Sequence, residues 1–124
     1  MLIAAIETKS AQAARRYRPR RTNADRVREA LLALAGGHAS LLTHEEKAWA
    51  SITFAGTRHE LMLDFDGREA AAAGEDFIAA LPDHEFAIPG QLVAEATVSA
   101  VDHQFAGEHE RMVVTAVLLL LDEG

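Results

Sequence analysis

A chain of 124 residues, 49% hydrophobic and 25% charged, matches one globular domain, which excludes a disordered polymer and leaves no length for a second core. With no cysteine there is no disulfide framework, thiolate nucleophile or Cys-based zinc site, and the chain reads as cytoplasmic. The formal net charge of −7 is unevenly spread, since residues 1–22 carry six basic side chains against Glu7 alone, a net of +5, and the other 102 residues carry −12.

In chain order, residues 1–21 read as a basic N-terminal arm, with Pro19 interrupting its arginines, and residues 22–124 as a single α+β domain. Met1 to Ile6 is apolar but has no basic residues before it, so it makes a poor secretory signal. Val27, Leu31 and Leu34 recur at helical spacing, Thr22 or Asn23 can cap the start, and Gly36-Gly37 ends the run, which predicts a first helix. Ala39 to Thr43 is a short strand candidate, followed by a charged turn at His44-Glu45-Glu46-Lys47.

A first long hairpin is expected over Ala48 to Ala55 and Arg58 to Phe65, centred on Ala55-Gly56, with Ile52 facing His59 and Lys47 facing Asp64. Asp66, with Glu69 three positions on, resembles a capping box for a second helix whose stripe is Gly74, Phe77, Ile78 and Leu81 before Pro82. Gly74 on that stripe suggests a close approach of helix to sheet. The last hairpin runs from Gln91 to Gln104 and His109 to Leu121, and both hairpins read as turning on a Phe-Ala-Gly triplet. The expected architecture is an antiparallel sheet of about five strands, in the order helix, three strands, helix, two strands, with both helices on one face.

The apolar run Met112 to Leu121 spans about half of the roughly 20 residues a membrane helix needs, so no membrane partner is expected. Both faces of this strand are apolar. A register centred between Ala106 and Gly107 sets Asp102 against Arg111 and assigns Val113, Thr115, Val117 and Leu121 to the core. It leaves Met112, Val114, Leu118 and Leu120 on an outer face beside Glu95, Thr97 and Ser99. That face is the expected homodimer interface; the alternatives are a small-molecule cleft and internal cover.

The best function from sequence is therefore a small non-enzymatic interaction or accessory module that homodimerises through its sheet. The alternative is a ligand binder or enzyme using the cleft. For acid–base chemistry the candidates are His59, on the predicted inner face, and Glu95; the bland reading of His59 is a packed core histidine. No cofactor and no metal are expected, because no ligand spacing such as HExxH occurs and the charge-paired register opposes His103 to Glu110 rather than to His109. A weaker alternative is nucleic-acid contact through Arg15, Arg16, Tyr17, Arg18, Arg20 and Arg21, against which stands the acidic body. Trp49 reads as a side chain on the polar face that either anchors a partner or packs on neighbouring stems.

Overall fold

A computed structural model describes residues 21–123. Helix α1 (Asn23–Leu34) is followed by strands β1 (Ser40–Ala50) and β2 (Ala55–Asp66). Helix α2 (Arg68–Ala80) and a 3-10 turn (Leu81–Asp83) then lead to strands β3 (Gln91–Ala106) and β4 (His109–Asp122). The four strands form one antiparallel sheet in the order β1-β2-β4-β3, and both helices cover the same face, an α+β architecture. No helix among the described residues is long and apolar enough to cross a membrane.

Helix α1 begins where Thr22 accepts from the Asp25 amide and the Asp25 carboxylate accepts from the Thr22 amide, satisfying two of the donors a helix start leaves unpaired. Its apolar positions Ala24, Val27 and Leu31 are buried. Helix α2 starts differently from expectation. Gly67, at φ 105, is its N-cap and makes no side-chain cap bond, while the Asp66 carboxylate turns to His109. The Gly67 amide instead donates to the Glu110 carbonyl, which ties the start of α2 to β4. Gly74 lies where a Cβ would come within 3.0 Å of Met112 Sδ and Phe65 Cγ, so its missing side chain lets the helix lie directly on the sheet.

Four strands replace the expected five, because Ser40 to Ala50, expected as a short strand, a charged turn and the start of a hairpin arm, forms one continuous strand. The charged stretch His44-Glu45-Glu46-Lys47 runs straight through β1, with an irregularity between Leu41 and Thr43. Alternation along it is weak because β1 is an edge strand, where most side chains face water.

The first turn is Ser51 to Phe54, with Ala50 opposite Ala55. The two Phe-Ala-Gly triplets therefore have different jobs. Ala55-Gly56 opens β2, whereas Gly107, at φ 62, sits in the second turn between Ala106 and His109. Lys47 faces Arg58 instead of Asp64, and Asp64 takes a bidentate bond from Arg111 across β2 and β4, at 2.8 and 3.2 Å.

The core lies between helices and sheet. It contains Val27 and Leu31 of α1, Phe77 of α2, Leu61, Leu63 and Phe65 of β2, and Met112, Val114, Ala116, Leu118 and Leu120 of β4. This overturns the face assigned from sequence. Met112, Val114, Leu118 and Leu120 point to the helices and are buried, while Val113, Thr115, Val117 and Leu121 belong to the helix-free face. Two causes combine. A central strand that is apolar on both faces gives alternation nothing to choose between. Strand β3 also shifts register between Val93 and Glu95 and again between Val98 and Ala100, so no single turn-centred register carries through.

Candidate functional site

The helix-free face can be read in rows across the sheet, because directly paired residues point the same way. At the end nearest the first turn, Trp49, Gly56, Leu121 and Leu92 form one row across β1, β2, β4 and β3. Then come Lys47, Arg58, Leu119 and Glu95, followed by Glu45, Glu60, Val117 and Thr97, and by Thr43, Met62, Thr115 and Ala100. Ser40, Asp64, Val113 and Asp102 follow, and Asp66, Arg111 and Gln104 close the far end.

The face is graded from apolar to polar along the strands. In the middle of β4, Val113 and Val117 are screened by their neighbours. At the apolar end large side chains stand in solvent: Trp49 is 37% exposed and Leu92 51%, and the adjoining turn adds Ile52 and Phe54, the latter 49% exposed. Gly56, where a Cβ would strike the Leu120 carbonyl, stands between Trp49 and Leu121 in the row. Trp49 and Leu92 stand on the two edge strands with Gly56 and the buried Leu121 between them, and Lys47, Arg58 and Glu95 border that row on one side, so large apolar side chains lie next to charged ones as they do where an interface meets its edge.

The polar end forms a surface depression of about 320 Å³ lined by Asp64, Asp66, Gln104, Ala106, His109 and Arg111. Its charges are spent on one another. Asp64 holds Arg111, whose guanidinium is pushed above its ordinary value by that bond, and Asp66 holds His109 at 2.6 Å.

The sequence candidates separate. Glu95 and Thr97 lie on the open face and Ser99 at the β3 irregularity, where its hydroxyl donates to the Thr115 carbonyl. Met112, Val114, Leu118 and Leu120 lie on the other side of the sheet, so the seven residues do not line one cleft. His59 is on the inner face, as its parity suggested, and is 1% exposed. Glu95 is across the sheet from it, so the two cannot act as a catalytic pair. His103 meets Glu110 diagonally at 2.5 Å, and His109 is engaged with Asp66, which leaves those two histidines apart. No cluster of three or more His, Asp or Glu among the described residues could hold a metal ion. Arg15, Arg16, Tyr17, Arg18 and Arg20 lie outside the described residues, and Arg21 forms an ion pair with Glu29 on α1.

Sequence reasoning missed His44. The charged pattern there predicts a turn, yet β1 turns His44 to the inner face beside His59, and its Nε2 lies 2.9 Å from His59 Nδ1. A register with the turn at Ser51 to Phe54 would have brought the two together, but the turn chemistry of Ala55-Gly56 pointed elsewhere.

No family model matches the chain, and no curated protein matches it. Among solved structures it is similar to a chain from the virion of a native gene transfer agent particle, with 15% sequence identity and a TM-score of 0.56. The likeness covers 80% of this chain and 91% of that one, and at this identity it concerns the fold.

Proposed function

We propose that this protein is a non-enzymatic structural module that associates with further copies of itself, at least as a homodimer, through the helix-free face of its sheet. The observation that carries the reading is the exposure of Trp49 and Leu92, with Ile52 and Phe54 in the adjoining turn, on a face that no helix among the described residues covers. Large apolar side chains exposed in this way gain by burial against a partner. The resemblance in fold to a chain from the virion of a gene transfer agent particle supports a structural role in assembly over a catalytic one. Assembly in the cytoplasm fits a chain without cysteine.

The self-association this predicts uses residues other than those first expected: Trp49, Leu92 and Leu119, with Lys47, Arg58 and Glu95 as the rim. Trp49→Glu places a charge at the β1 end of the apolar row, at a site already partly exposed, so the monomer should fold normally. Removing an aromatic anchor costs about 2 kcal/mol of association, a weakening of about 30-fold. Sedimentation velocity of wild type and Trp49→Glu across micromolar concentrations tests the reading. Identical mass distributions for the two proteins would exclude this row as the contact.

A further inference from the structure

We infer that His44 and His59 form an acid-sensitive latch, which holds α1 against the sheet while both imidazoles are neutral and lets it go when either takes up a proton. This goes beyond the assembly role and does not depend on it.

The latch is a one-way chain of hydrogen bonds. Arg28, from α1, points its guanidinium at His44 Nδ1 at 3.1 Å, and His44 Nε2 lies 2.9 Å from His59 Nδ1. A guanidinium only donates, so His44 Nδ1 must accept. A neutral imidazole has one N–H, so that of His44 is on Nε2 and donates to His59 Nδ1. His59 in turn carries its proton on Nε2, the buried side-chain atom that finds no partner among the described residues. The network thus fixes both tautomers, and both basic nitrogens are already occupied as acceptors. An added proton has no free lone pair to use. On His44 it sets N–H against the N–H of Arg28, and on His59 it sets N–H against the N–H of His44.

The surroundings favour the neutral pair. From α1 come Arg28 and Asp25, which are bonded to each other. From β1 comes Glu46, whose Oε1 is 3.9 Å from His59 Nδ1 and is the one charge here that would welcome a proton on the rings. β4 offers Leu118 opposite His59, and the buried face of α2 is Ala70, Ala71, Gly74 and Phe77, none of them titratable. Burial, helped by the Arg28 charge, pushes His44 below the ordinary histidine value. Burial first, and then His44 itself, pushes His59 the same way, and Glu46 outweighs neither effect.

The sign follows directly. An opened or unfolded histidine titrates near about 6.5. Above that value both states are neutral and the latch is at full strength. As the pH falls below it, the open state binds protons that the closed state refuses, so closure weakens until the depressed folded values are passed. For each proton taken up on opening, the closed-to-open ratio falls by up to about tenfold per pH unit. The release belongs to α1 because the Arg28 bond is the link that ties it to the buried pair.

Hydrogen exchange of the full-length protein between pH 7.5 and 5.0, corrected for intrinsic exchange, reads this out. The amides of 27–34 should lose protection in acid while those at the centre of β2 and β4 keep theirs. The variant His44→Gln supplies the control, because a glutamine can accept from Arg28 and donate to His59 yet cannot be protonated; it should blunt the acid loss on α1. Loss of protection in step across α1 and β4, or an unchanged acid response in His44→Gln, would overturn the latch. Should that variant fail to fold, nitrogen-15 NMR of the wild-type histidines decides. Two Nε2–H tautomers with midpoints below the ordinary value support the latch, and midpoints at or above it overturn it.

Discussion

Replacing Gly56 by alanine adds one methyl group at the point where β2 runs closest to β4. The new Cβ would sit 1.9 Å from the Leu120 carbonyl oxygen and 2.9 Å from both Leu120 C and Leu121 Cα. Carbon atoms pack comfortably at about 3.5–4.0 Å, so the obstruction exceeds 1 Å by a wide margin at the oxygen. The obstructing atoms are backbone, and β4 is paired on both sides, so neither strand can step back without stretching its ladder. Overpacking of a flexible core costs about 1–3 kcal/mol; against backbone the upper end applies, about 3 kcal/mol. In urea, with a slope of about 1.5 kcal/mol/M, that is a fall of about 2 M in the midpoint at unchanged slope. Gly107→Ala is the comparison, since Gly107 has open space around it and pays only for its positive φ, about 1 kcal/mol. A Gly56→Ala protein within about 0.5 kcal/mol of wild type, or no less stable than Gly107→Ala, would refute the close-approach argument.

Gly74→Val should cost about 2 kcal/mol in the same assay by forcing α2 off Phe65 and Met112, whereas Gly74→Ala should change stability by less than about 1 kcal/mol, because the gain in helix propensity offsets a contact that a methionine can relax. Thr22→Ala removes the acceptor for the Asp25 amide and should lower stability by about 1 kcal/mol, with the loss confined in hydrogen exchange to the first turn of α1. Asp64→Asn should lower the thermal midpoint at low salt, and the difference from wild type should shrink in 1 M salt, because Arg111 then loses its charged partner.

The parts of the fold legible in the sequence were those set by short-range chemistry. Thr22, one of two cap candidates, and Val27 with Leu31 place α1 because capping and the 3.6-residue period act within a few residues, although the Asp25 half of the capping box is visible only in the structure. The stripe of Gly74, Phe77 and Leu81 places α2 for the same reason. Parity along β2 put His59 inside, even with the turn set too far along the chain. The failures were non-local. Asp66 resembles a cap because Glu69 stands three residues on, but its carboxylate bonds His109 on the adjacent strand β4 instead. Lys47 looked like the mate of Asp64 until the order β1-β2-β4-β3 brought Arg111 alongside, and strand order leaves no trace in alternation. The two register shifts in β3, together with a central strand apolar on both sides, exchanged the core and open faces of β4, and with them the residues of the candidate interface. The open face itself was foreseen; its composition was not.

The measurement that bears most directly on the assembly reading is the molar mass of the wild-type protein in solution, by light scattering over a range of micromolar concentrations. The account predicts a mass that rises with concentration to at least twice the 13.4 kDa of the chain, and a blue-shifted Trp49 emission that accompanies the rise. A mass of 13.4 kDa at every concentration, with Trp49 emission unchanged, would contradict it.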